Sequence, residues 1–269
     1  MRRETGPDFI EALARGLDVL RGFHPSQPCR TLSEVAADTG LARPTARRIL
    51  LTLEELGYVR SDTTGFALTP RVLDLGMAYI SSNSLWEIAE PHLRDLVKQT
   101  GESCSLAQLE GSDIVYVARV SVPKLVTLAV NVGTRFPAAQ TSLGKVLLAA
   151  LEESQLDRAL ATPSVSGIEP RWQPERSELE AVLRDVRAKG WASTDQDLAL
   201  GIRSIAAPVR NGEGRTVAAV NVNAHAAETS VEHLWEHHLP LLLRTASALS
   251  EDWAARESCP IATVEDAAQ

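Results

Sequence analysis

TLSEVAADTGLARPTARRILLTLEELG, residues 31–57, decides how the first part of the chain folds. Thr31 and Glu34 have capping-box spacing, so a helix is expected to begin there. Gly40 ends it, because glycine takes the left-handed conformation of a helix terminus without steric cost. Leu41 and Ala42 make the turn, and Pro44 falls in the first turn of the next helix, where proline is tolerated. Along that second helix Ala46, Ile49, Leu50, Leu53 and Leu56 recur at helical spacing and define a packed rear. Its front carries Arg43, Thr45, Arg47 and Arg48. A short helix, a tight turn and a helix with a cationic front predict a helix-turn-helix that reads duplex DNA.

Outward from this stretch, FIEALARGLDVLRG (9–22) sets Ile10, Leu13, Leu17 and Leu20 at helical spacing, a first helix to pack behind the pair. Tyr58–Arg60 and Phe66–Leu68 read as two strands around the turn SDTTG. Helix, helix, recognition helix and hairpin is the order of a winged helix-turn-helix, expected over residues 1–70. RVLDLGMAYISS then predicts a linker helix, residues 71–84, with Leu73, Met77 and Ile80 on one side. Ile88, Leu93, Leu96 and Val97 mark a helix over 85–100.

From Ser103 the period changes to alternation. Strands are expected over 103–120 around a Gly111-Ser112 turn, at 125–132, at 191–194, and over 205–209 and 216–222 around Asn211–Gly214. Helices are expected at 142–151, 154–160 and 175–189, and a long one at 231–253. The class is α+β: an antiparallel sheet flanked by helices, residues 85–256, able to enclose a small ligand. Residues 257–269 read as a loose tail.

The net charge is −8 over 269 residues, which alone argues against a nucleic-acid partner. Residues 1–70, however, hold nine basic and nine acidic side chains, so all the excess acidity lies in the second part. A neutral module with a local cationic face can bind DNA in a salt-dependent way. No run of 18 apolar residues occurs, so no membrane span is expected, and the N-terminus lacks the apolar core of a secretory signal. Cys29, Cys104 and Cys259 have no metal-ligand spacing and read as reduced thiols of a cytoplasmic protein. His233 and His237 lie at i and i+4, but no third ligand accompanies them, and a solvated helix face is expected. No metal and no cofactor are expected.

Three blocks resemble the IclR family of bacterial transcription regulators over nearly the whole chain: the helix-turn-helix, VGTRFPAAQTSLGKVLLAAL (132–151) and DQDLALGIRSIAAPVRNGEGRTVAAVNV (195–222). The resemblance implies a winged helix-turn-helix, a linker helix and a GAF-like effector domain that also mediates assembly, in a homodimer or a dimer of dimers. Tyr116–Arg119, Gly201–Ser204 and Ala219–Val222 further resemble the branch regulating protocatechuate and 4-hydroxybenzoate degradation. Many family members have cysteine at the position of Ser204 and serines at those of Asn221 and Asn223.

Arg43, Thr45, Arg47 and Arg48 are the candidate DNA contacts, with Thr31 at the first helix and Thr63 and Thr64 in the wing. Phosphates suit the threonines, while arginine can also grip guanine. Arg119, Arg135 and Arg203 are candidates for an effector carboxylate. Arg203 is the preferred one, with an ion pair to Asp195 or Asp197 as the rival reading. Thr141, Ser142 and Leu143 begin a helix whose free N–H groups attract an anion. Asn221 and Asn223 share one strand face, with Ser204 on a neighbouring strand. Ser142 and Lys145 match the S-x-x-K acylation motif, but its companion motifs are absent and no catalysis is expected. The expected function is transcription regulation through operator DNA, controlled by an aromatic carboxylate. Its rivals are a small keto acid as effector and an enzymatic second domain.

Overall fold

In a computed structural model of the chain, residues 6–24, 27–83, 85–123 and 130–258 are described. The chain divides into two compact units, residues 1–83 and 84–269.

The first unit follows the capping and breaking residues. Helix α1 spans Glu11–Arg21, β1 Cys29–Arg30, α2 Leu32–Thr39, α3 Arg43–Glu55, β2 Val59–Asp62 and β3 Gly65–Leu68. Thr31 and Glu34 form the reciprocal capping box at α2, and Gly40 ends it at φ 66°. Ala42 is the N-cap of α3, with Pro44 in the first turn. Ala46, Leu50 and Leu53 are buried, Leu50 and Leu53 meet Val19, Val35 and Val59 in one small core, and Leu56 is half exposed. Burying a leucine such as Leu50 contributes roughly 1.5–3 kcal/mol.

The hairpin gains a third strand that the sequence does not announce: β1 pairs with β3, giving the order β1-β3-β2. Gly65 permits this, since a Cβ there would lie 2.5 Å from the Arg30 carbonyl oxygen. Arg30 itself is buried and ties the helices together, donating to the Gly22 carbonyl, to Asp38 at 2.8 Å and to the Glu34 carbonyl at 3.3 Å.

The face expected of α1 needs correction. Val19 is its buried residue and Leu20 packs partly against the same core, while Ile10, Leu13 and Leu17 are 65%, 61% and 47% exposed. After a 3-10 turn at Pro70–Val72, α4 runs from Leu73 to Asn83 with Leu73, Leu75, Met77 and Tyr79 exposed.

The second unit contains α5 (Leu85–Thr100), β4 (Ser103–Glu110), β5 (Asp113–Val120), β6 (Arg135–Pro137), a 3-10 turn at Ala138–Gln140, α6 (Ser142–Ala149), α7 (Glu153–Ala161) and α8 (Arg176–Lys189). It continues with β7 (Ala192–Asp195), β8 (Ile202–Arg210), β9 (Thr216–His225), α9 (Val231–His233) and α10 (Leu239–Ser258). The long final helix is therefore interrupted, by a π turn at Leu234–His238. The strand expected at 125–132 lies mostly outside the described residues, and its described end is not a strand; β6 occupies the edge instead.

The six strands form one antiparallel sheet, β6-β5-β4-β9-β8-β7. Alternation gives it two apolar faces. Leu106, Ala118, Ile205, Val220 and Val222 pack with Leu93 and Leu96 of α5 and Leu242 and Leu249 of α10. Ala107, Tyr116, Ala206 and Ala219 on the other face pack with Leu143 and Val146 of α6 and Leu183 of α8. Gly144 sets the close approach of α6 to its own lead-in, because a Cβ there would lie 2.0 Å from the Ala138 carbonyl oxygen.

Candidate effector cavity and DNA-reading face

On the α6 side of the sheet, one end of the strands carries short polar side chains in place of large apolar ones. Ser103 pairs across from Asn223, which pairs with Ser204, which pairs with Thr194. The neighbouring row runs Arg119, Ser105, Asn221. Side chains of this size cannot fill the space under α6, and a cavity remains. The space in it that solvent centres can reach is about 70 Å³, room for several water molecules. Ser103, Tyr116, Arg119, Thr194, Ile202, Ser204, Asn221 and Asn223 line it from the sheet. Phe136, Gln140, Thr141 and Ser142 line it from the lead-in to α6, with Val130, Leu198, Glu102, Ala224 and His225 at the sides.

A bulge in β5 builds the polar end. Tyr116 pairs with Ala107 and Ala118 with Leu106, so Val117 is the extra residue. Residues three apart on a regular strand face opposite sides; across the bulge Tyr116 and Arg119 both reach the cavity. Burial pushes the Tyr116 phenol up to about 12, with the Asn223 side chain as a hydrogen-bond partner. Burial also draws the Arg119 guanidinium below its usual range. Arg119 Nη1 donates to Ser105 Oγ at 2.9 Å, while its Nε has no partner.

Most other polar groups of the lining are engaged. Asn221 Oδ1 accepts from the Ser105 N–H at 3.1 Å, and its amide nitrogen donates to Ser204 Oγ at 3.4 Å. Ser142 Oγ touches Ser204 Oγ. Thr141 caps α6 by accepting from the Gly144 N–H at 3.0 Å. Ser103 Oγ accepts from the Val122 N–H, Glu102 accepts from Thr229, and His225 Nδ1 accepts from the Ala227 N–H. Gln140 is 8% exposed and its Oε1 has no partner. Gln140 also borders a second, open hollow beside Leu160, Ile168 and Leu179.

Of the residues expected around an effector, the cavity brings together Arg119, Thr141, Ser142, Ser204, Asn221 and Asn223. Arg203 is a correction. Ile202 and Ser204 point into the cavity, so alternation sends Arg203 away. Its guanidinium binds Asp195 at 2.6 and 3.3 Å and the carbonyls of Ala226 and Thr229 at 3.2 and 3.0 Å. Asp195 is spent on that pair, which holds its carboxyl below the usual range. Asp197 pairs with Lys145 at 2.6 Å, and the Lys145 ammonium also lies over the Trp172 ring. Lys145 thus serves an ion pair, and the Ser142 hydroxyl contacts Ser204. Arg135 lies on the edge strand, paired with the exposed Glu110. Leu143 is core, 0% exposed. Tyr116, Phe136, Gln140 and Thr194 were not anticipated; Phe136 and Gln140 sit inside the second quoted block, and that placement was the available signal.

In the first unit Arg43, Arg47 and Arg48 are exposed on α3, with Thr45 half buried beside them. None of the three arginines has an ion-pair partner among the described residues. Thr31 is occupied as the cap of α2, exchanging hydrogen bonds with Glu34. In the wing, Asp62 accepts from the N–H groups of Thr64 and Gly65 at 2.7 and 3.2 Å and from the Thr64 hydroxyl. Thr63 and Thr64 are exposed. Among the described residues no cluster of three metal-ligating side chains occurs, and no helix is long and apolar enough to cross a membrane.

A winged helix-turn-helix joined to a sheet domain with a polar cavity defines a ligand-responsive regulator of transcription. The chain belongs to the IclR family: the model of the bacterial transcriptional regulator IclR C-terminal domain matches residues 77–251, and that of the IclR helix-turn-helix domain matches residues 12–63. It is a DNA-binding transcriptional regulator of this type and not an enzyme. The Pca regulon regulatory protein of Pseudomonas putida is 38% identical over 244 residues, 90% of this chain and 84% of that one. A crystal structure of a chain from Rhodococcus sp. RHA1 is 48% identical, with TM-score 0.79, covering 92% of this chain and all of that one. The inducer-binding domain of a double mutant of PobR from Acinetobacter, in complex with 3-hydroxybenzoic acid, is 30% identical, with TM-score 0.55, covering 62% of this chain and 97% of that one.

Proposed function

We propose that the cavity of the second unit binds an aromatic carboxylate of the hydroxybenzoate or protocatechuate kind, and that this effector controls operator binding by the first unit. The observation that carries the reading is Arg119: a half-buried cation whose Nε has no partner, beside the rings of Tyr116 and Phe136. A desolvated cation lacking an acceptor favours an anion in the cavity. The aromatic walls suit a ring, and 3-hydroxybenzoic acid is what the PobR domain holds. A small keto acid would leave those rings uncontacted.

Residues 1–70 serve as the DNA-binding part, 71–84 as the linker and 85–256 as the effector and assembly part, in a cytoplasmic homodimer or a dimer of dimers. Exposed apolar side chains on α1 and α4 support self-association, since patches of this kind are the usual mark of an interface. Arg43, Thr45, Arg47 and Arg48 read the operator, with Thr63 and Thr64 on phosphates. The effector can shift DNA affinity only by binding two arrangements of the assembly unequally.

Isothermal titration with 4-hydroxybenzoate, protocatechuate and pyruvate tests the cavity. The aromatic acids bind, pyruvate does not, and Arg119→Met weakens the aromatic acids by roughly tenfold or more. Unchanged affinity in a folded Arg119→Met would remove the carboxylate from this arginine.

A further inference from the structure

Among the described residues, two buried polar atoms of the cavity lining have no partner, and they differ in kind. One is Arg119 Nε, a cationic donor; the other is Gln140 Oε1, a neutral acceptor. The lining's other hydrogen-bonding groups described above are occupied by backbone amides, by hydroxyls or by one another. We propose that Gln140 is the specificity-determining residue of the cavity: it reads a ring hydroxyl of the effector and so selects hydroxylated aromatic acids over unsubstituted ones. This rests on the aromatic-carboxylate reading above and deepens it.

The chemistry of the two atoms defines the ligand. Arg119 calls for an anion. Gln140 Oε1 calls for a donor, which a carboxylate cannot be when ionised. A ligand that satisfies both carries one acid and one neutral O–H. The amide can also turn end for end and offer its N–H group instead. A hydroxyl donates to one orientation and accepts from the other, so it satisfies Gln140 either way. An unsubstituted benzoate leaves the buried amide oxygen unpaired. That is the circumstance in which a binding site discriminates most strongly against an analogue lacking the group. A second carboxylate on the ring could accept from the turned amide, but it would bring a second buried charge with only a neutral amide to meet it, and is disfavoured as well. Gln140 suits the task by position: it sits in the 3-10 turn that leads into α6, on a different element from Arg119, with Thr141 and Ser142 following it into the lining.

The test measures the affinities of benzoate, 3-hydroxybenzoate, 4-hydroxybenzoate and terephthalate for the full-length wild type, Gln140→Leu and Arg119→Met by isothermal titration. Wild type is expected to prefer the better hydroxybenzoate over benzoate by roughly tenfold. Gln140→Leu, which supplies an apolar group of similar size, is expected to bring that preference to within about twofold while keeping or improving benzoate binding. Gln140→Met serves in its place if the leucine variant does not fold. A hydroxyl preference that survives in the folded Gln140 variant overturns this assignment and leaves the effector reading standing. Failure of the wild type to bind any aromatic acid overturns the effector reading and this assignment together.

Discussion

Two arginines on strands of one sheet have different fates. Arg119 keeps an unengaged edge inside the cavity, while Arg203 has its guanidinium distributed over Asp195 and two carbonyls. Arg203→Ala is therefore expected to lower the melting temperature and to leave effector affinity within about twofold. Its effect depends on pH with a definite sign. Arg203 lowers the Asp195 carboxyl from its ordinary 3.8, so the pair's contribution is fully present above that pH. It is lost as the pH falls through the lower folded value. The stability gap between wild type and Arg203→Ala, measured by urea unfolding, should be full from pH 7 down to about pH 4 and narrow only as the pH falls further. A gap that stays constant well below that pH would count against the pair. Gly144→Ala tests packing at the same scale. The added methyl group meets a backbone oxygen that cannot swing aside, and the expected loss is about 3 kcal/mol or failure to fold, read from the urea midpoint.

At the scale of elements, α3 shows what local signals can and cannot reveal. Its cap, its proline, the preceding Gly40 and its buried stripe follow from short-range rules, and α2, α3 and the hairpin appear where those rules place them. Arg47→Ala should leave this frame intact, since Arg47 is solvent-facing. Operator affinity in a gel-shift assay should drop roughly tenfold if Arg47 holds a base, with relaxed sequence preference. If it holds a phosphate, the loss should be similar on every sequence and the salt slope should fall by about one. Unchanged binding at moderate salt would take Arg47 off the DNA face. The cavity was legible only in part. Asn221 and Asn223 share a face because they are two apart, and both line it. The same alternation separates Arg203 from Ser204, so those two adjacent residues could not both have faced a ligand. Arg119 could not be placed by counting, because its side depends on the bulge at Val117, and a bulge arises from the register between two strands, which neither strand's own residues reveal. The β1–β3 pairing was hidden for a similar reason: two residues of strand give no period, and the close contact at Gly65 exists only once the hairpin has formed.

Over the whole molecule, charge is divided by task. The first seventy residues are neutral in sum and the remainder carries the −8. Long-range attraction to DNA is therefore expected to be weak, and on the proposed reading binding depends on the arginines of α3 at close range, with steep sensitivity to salt. The proposed homodimer would present two such helices and match a two-fold symmetric operator.

The bulge at Val117 reaches further than the cavity it helps to build. A strand that kept every residue and paired without a bulge would turn Arg119, three residues past Tyr116, toward the apolar layer under α5 and α10. An unpaired cation there costs more than a small domain can spare. Deleting Val117 itself avoids that outcome: Ala118 stays opposite Leu106 and Arg119 opposite Ser105, and Tyr116 and Arg119, then two apart, still share a face. The bulge thus reconciles an odd spacing in the sequence with a shared side in the fold, so this segment tolerates the loss of its extra residue better than a one-residue slip of its pairing.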